Sequence, residues 1–141
     1  MRLIGLTYIF VTFLIFSCTD EPDQREYKIV LTNNTATTVS LEIFDSRDIL
    51  VSEYKISANE NRESCSYFSE SFLGFACLSD SIIFKFLDNK EYACALRENG
   101  SQFCFSNKNP FNSTDFNELD NNTYEFVITQ EDFENAFDLP E

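Results

Sequence analysis

Residues 27–43 read YKIVLTNNTATTVSLEI, and the period of this stretch decides the fold class. Tyr27, Ile29 and Leu31 alternate with Lys28 and Thr32, then Val39, Leu41 and Ile43 alternate with Thr38, Ser40 and Glu42. A strict period of two places the apolar set on one face of a pleated strand and the polar set on the other. Asn33-Asn34-Thr35 between the runs carries turn chemistry, so the pair is expected to form a hairpin with one buried face.

Working outward, the same period recurs. Asp45-Ser46-Arg47-Asp48 is a turn leading into a less regular strand over 49–56. Ile82, Phe84 and Phe86 share a face around Lys85, and Asp88-Asn89-Lys90 turns that strand into Tyr92, Cys94 and Leu96. Asn99-Gly100 readily takes positive φ and returns the chain through Phe103 to Phe105. Tyr124, Phe126 and Ile128 close the series. About seven short strands with frequent turns make an all-β chain, a small antiparallel β-sandwich of immunoglobulin-like general architecture.

The C-terminal end changes period. Thr129 and Asp132 have capping-box spacing, and Ile128 and Phe133 stand where a hydrophobic staple belongs. A short helix over 130–137 is expected, with Pro140 limiting its extension. Residues 57–63 and 107–122 read as polar loops.

Composition sets the function classes. The 141 residues are one domain's worth, and 16 Phe with 6 Tyr supply a core. The formal net charge of -14 opposes nucleic-acid phosphates and anionic lipid headgroups. There is no His, which removes Ser-His-Asp and Cys-His chemistry and the commonest metal ligand.

Residues 1–17, MRLIGLTYIFVTFLIFS, read as an export signal. Arg2 supplies the positive end, and the apolar stretch from Leu3 to Phe16 is shorter than the roughly 20 residues of a spanning helix. Ile15-Phe16-Ser17-Cys18 resembles a bacterial lipobox, with Phe16 where smaller residues are commoner. The resemblance implies cleavage before Cys18 and a lipid on its thiol, hence a cell-envelope, membrane-held protein. Ordinary signal cleavage prefers a small residue at the position of Ile15. Residues 18–25 form an acidic tether that reaches roughly 28 Å when extended. Acids so soon after the Cys resemble the surface-export signal of Bacteroidota lipoproteins, which implies the outer membrane and its outward face. The domain is assigned to residues 26–141.

With Cys18 lipidated, Cys65, Cys77, Cys94 and Cys104 remain, an even number that suits two disulfides in an exported chain. Cys94 and Cys104 flank the Asn99-Gly100 turn symmetrically, which favours that pair and leaves Cys65 with Cys77. Their spacings do not match the short C-x₂₋₄-C pairs of structural zinc sites.

Two other groups carry chemistry in principle. Asp115, Glu118 and Asp120, among Asn112, Asn117 and Asn121, offer oxygen ligands for calcium, but their spacing matches no EF-hand. A solvated loop is the plainer reading. The run Tyr67-Phe68, Phe72-Leu73, Phe75 around Gly74 is either sandwich filling or an exposed contact patch. Phe72 through Cys77 to Phe86, with residues 128–133 (ITQEDF), resembles small lipoproteins of the Bacteroidota, a likeness that brings no activity or functional residue with it.

The expectation is therefore a non-enzymatic, lipid-anchored module with no cofactor and no metal. Its partners are the membrane, through Cys18, and an envelope or extracellular protein. Two alternatives stand beside it: a carboxylate-dependent glycan hydrolase, and an inhibitor or immunity protein whose acidic surface meets a basic partner.

Overall fold

A computed structural model describes residues 22–77, 79–96 and 102–138. The expected leader over 1–17, Cys18, the first half of the tether, the Asn99-Gly100 turn and Pro140 lie outside the described residues.

The described residues form a two-sheet β-sandwich. In chain order the strands are β1 (Arg25–Asn34), β2 (Val39–Phe44), β3 (Leu50–Ile56), β4 (Glu60–Ser69), β5 (Ser81–Lys85), β6 (Lys90–Ala95), β7 (Asn117–Asp120) and β8 (Thr123–Thr129). Helix α1 (Gln130–Asn135) and the short strand β9 (Phe137–Asp138) follow. One sheet has the order β4-β1-β8-β7 and the other β3-β2-β5-β6-β9.

The alternation of β1 and β2 is realised as read: Ile29, Leu31, Val39, Leu41 and Ile43 are all buried. Their expected hairpin is not. β1 lies between β4 and β8, whereas β2 pairs with β3 and β5 in the opposite sheet. The reason is Asn33, which continues the inward register of β1 and is fully buried. Its amide donates to the carbonyls of Thr37, Ile56 and Ser57, and its Oδ1 accepts from the Thr35 amide. Anchored there, the link carries the chain across the sandwich rather than back alongside itself.

Other boundaries also move. β1 and β8 run parallel, an exception to the antiparallel pairing of the other neighbours. The expected loop over 57–63 contains the start of β4, an edge strand whose exposed residues from Glu60 to Ser66 are polar. The loop over 107–122 contains β7 and a 3-10 turn at Ser113–Asp115. The expected strand from Phe103 to Phe105 is reduced to a single bridge between Ala93 and Phe103. Leu96 lies beyond β6 and is exposed. The helix ends at Asn135, and Phe137 returns to a sheet edge instead.

The core is aromatic as well as aliphatic. Phe84 meets Phe105 edge-on at 5.1 Å, and Tyr92 stacks on Phe105 at 4.0 Å. Such contacts add to area burial because ring edges and faces carry opposite partial charge. Thr129 and Asp132 form the capping box expected from their spacing.

Candidate contact surface

β1 runs from an entry end at Arg25 to a far end at Asn34, and the pairings orient every other strand against it. Ser69, at the end of β4, is the partner of Arg25. Phe44 at the end of β2 pairs with Leu50 and with Ser81, the first residues of β3 and β5. The 45–49 turn, the 70–80 connection and Leu96 therefore all lie toward the entry end.

β3 and β4 are the edge strands on one side of the sandwich, one in each sheet. Toward the far end their gap is closed by Tyr54. Its hydroxyl donates to the Ser64 carbonyl at 2.7 Å, and Arg62 lies over its ring at 5.1 Å. Ser64 is the extra residue where the register shifts between Ile29 and Val30, and its hydroxyl donates to the Ile29 carbonyl. Toward the entry end no comparable bridge spans the edges among the described residues. A groove opens there.

The segment after β4 shapes its floor. The Tyr67 hydroxyl accepts from the Leu73 amide at 2.8 Å and donates to the Gly74 carbonyl at 3.0 Å. Burial pushes the Tyr67 phenol above its usual range, against the opposing effect of the Leu73 hydrogen bond. Gly74 has φ +76°, and a Cβ there would come 3.0 Å from the backbone of Pro110 and Phe111. That turn sends Phe75 inward, where it is fully buried and its amide donates to the Pro110 carbonyl. Leu73 is left outside, 52% exposed. The Cys65–Cys77 disulfide ties the segment to β4 with Cα atoms 6.2 Å apart.

The resulting groove has a volume of about 900 Å³ between the 45–51 segment, Leu73, Ala76 and Leu96. A second concavity of about 480 Å³ shares Val51, Leu73 and Ala76 with it and extends along β4 past Phe68. Ile49, Leu50, Val51, Phe68, Leu73 and Leu96 are six of the nine exposed large hydrophobic residues among those described. At one margin stand Asp45, Asp48 and Asp80. Asp45 accepts from Nε and Nη2 of Arg47 and from the amides of Arg47 and Ile49. The Arg47 side-chain hydrogen bonds, foremost, hold its carboxyl below the usual range.

Both expected disulfides are present, Cys65–Cys77 and Cys94–Cys104, the latter with a Cα separation of 4.6 Å. The aromatic run divides between the two readings offered for it. Phe75 is buried, Tyr67 and Phe72 are partly buried, and Phe68 is 67% exposed. Phe72 stacks on Tyr124 at 3.7 Å, so it belongs to the core. Asp115, Glu118 and Asp120 do not converge. Asp115 caps the Asn109 amide, Glu118 lies opposite Tyr124 on β7, and no group of three potential metal ligands forms among the described residues. The Ile49-Leu50-Val51 triplet is the part of the surface that period reading misses. Three apolar residues directly after a turn, at the start of an irregular strand, were its signal in the sequence. No family model, curated protein or solved structure matches the chain.

Proposed function

We propose that the chain is a cell-envelope lipoprotein, anchored by lipid on Cys18, whose β-sandwich acts by contact rather than by catalysis. The observation that carries the contact reading is the exposed apolar groove at the entry end, which lies beneath the 45–51 segment and continues between the β3 and β4 edges, beside the strand that follows the tether. Exposed apolar patches held in a fixed shape mark interaction sites, because leaving them in water costs free energy that only a partner recovers. Here the shape is held by a disulfide and by the two hydrogen bonds of Tyr67.

Two disulfides suit an oxidising compartment outside the cytosol, in keeping with export. The lipobox-like Ile15-Phe16-Ser17-Cys18 supports the anchor. Two or three acyl chains on one thiol bind a bilayer for practical purposes permanently, since each buried CH₂ contributes about 0.8 kcal/mol. A hydrolase would need two facing carboxylates in a cleft, whereas this groove is lined mainly by apolar side chains with its acids at one margin.

Expression of the full chain and of Cys18→Ser, followed by detergent-phase partitioning, tests the anchor. The unaltered protein is expected in the detergent phase and the variant in the aqueous phase. Identical partitioning of the two would overturn the reading.

A further inference from the structure

We propose that the apolar groove docks on the lipid bilayer that holds the anchor, so that the sandwich lies against the membrane on its β3–β4 corner. The inference rests on the lipid at Cys18 and names the partner of the surface described above.

Position within the fold is the first argument. Arg25 is seven positions beyond Cys18 in the chain, a reach of roughly 25 Å even when fully extended. Arg25 is the partner of Ser69, and Glu26 is the partner of Phe68. The most exposed aromatic side chain of the groove therefore stands on the strand beside the point where the tether enters. Ile49, Leu50 and Val51 begin β3 at the same end, and Leu96 follows the end of β6 there. β1 is 10 residues long, roughly 33 Å, which holds the far end, with α1 and the exposed Leu87, away from the anchor. Six of the nine exposed large hydrophobic residues among those described thus gather around the groove, at the end that the anchor keeps within reach of a bilayer.

Charge is the second argument. The chain carries a formal net charge of -14, and Asp48 and Asp80 border the groove without an ion pair among the described residues. Two copies meeting through this face would bring those acids together. The same acids oppose anionic headgroups, so the bilayer that suits the surface is zwitterionic. Attraction then comes from the apolar side chains, and the covalent anchor supplies the high local concentration that makes a modest patch sufficient.

The chain contains no Trp, so one introduced indole reports its own surroundings. The full lipidated protein is prepared as Phe68→Trp, Leu73→Trp and, for the far end, Leu87→Trp, in phosphatidylcholine vesicles with brominated acyl chains. Flotation with the vesicles first establishes anchoring. The expected result is blue-shifted emission and quenching severalfold stronger for Phe68→Trp and Leu73→Trp than for Leu87→Trp. Floating protein with equal, weak quenching at all three positions overturns the docking, leaves the anchor standing and returns the groove to a protein partner. Protein that does not float overturns the anchor, and the docking with it.

Discussion

Lys108 places its ammonium 2.6 Å from the carboxylate of Asp132, and neither side chain has more than 14% of its surface in contact with solvent. The same ammonium donates to the Val127 carbonyl and lies 4.9 Å and 5.1 Å from the ring centroids of Phe105 and Phe126. Asp132 in turn accepts from the amide and the hydroxyl of Thr129. One lysine therefore fastens the segment after Phe105 to the start of α1.

Removing that lysine leaves a buried carboxylate with its main counter-charge gone. Lys108→Ala is expected to lower stability by about 3 kcal/mol or more, the usual cost of breaking a buried pair. Lys108→Met combined with Asp132→Asn is expected to recover part of the loss, since no net charge is then stranded. Urea unfolding followed by circular dichroism checks both.

Alkaline pH should weaken the fold through its tyrosines. Burial, with the nearby Asp132 charge adding to it, pushes the Tyr92 phenol up to about 12, and burial also raises Tyr67 and Tyr124. In the unfolded chain these groups ionise near 10, so the folded state holds more protons between the two values. Stability is thus full below about pH 10 and falls as pH rises toward 12. Tyr92→Phe, which removes the hydroxyl that donates to the Asp132 carbonyl, is expected to flatten that decline. Unfolding titrations at a series of pH values, with tyrosinate absorbance read alongside, measure it.

The disulfides close short loops, with sequence separations of 12 and 10. Each is expected to contribute roughly 3 kcal/mol by restricting the unfolded chain. Cys94→Ser with Cys104→Ser should lower the melting temperature without moving the groove, whereas Cys65→Ser with Cys77→Ser should also loosen the segment carrying Leu73. Hydrogen exchange across residues 70–77 distinguishes the two. Unreduced native protein is expected to show no reactive thiol.

Asn33→Ala should cost about 3 kcal/mol, because the three carbonyls that share its amide lose their donor in a buried site. Asn33→Asp is expected to be at least as damaging, since a carboxylate would face the same carbonyls. Thermal unfolding compares them.

The faces of the strands were legible and their neighbours were not. Alternation reports which side chains are buried, and it did so for Ile29, Leu31, Leu41, Phe84 and Phe126. It does not say which strand lies alongside, and NNTATT carries turn chemistry whether the chain reverses in one sheet or crosses to the other. The deciding group was Asn33, a polar residue in the inward register whose partners lie on β3 and beyond. β4 was hidden for a different reason. Its exposed residues from Glu60 to Ser66 are all polar, and its bulge at Ser64 breaks the period between Arg62 and Cys65. Both cysteine pairings were legible: the Asn99-Gly100 turn signal favoured Cys94 with Cys104, and Cys65 with Cys77 was the pair that remained. The groove was not, since the opposite fates of Leu73 and Phe75 depend on Gly74 fitting against Pro110 and Phe111, segments distant in sequence.

The anchor is tested most directly by the intact mass of the protein extracted from native membranes. The expected mass lacks residues 1–17 and carries diacylglycerol, with or without a further acyl chain, on a chain beginning at Cys18. A mass that retains the leader, or that shows Cys18 without any fatty chain, would contradict the account.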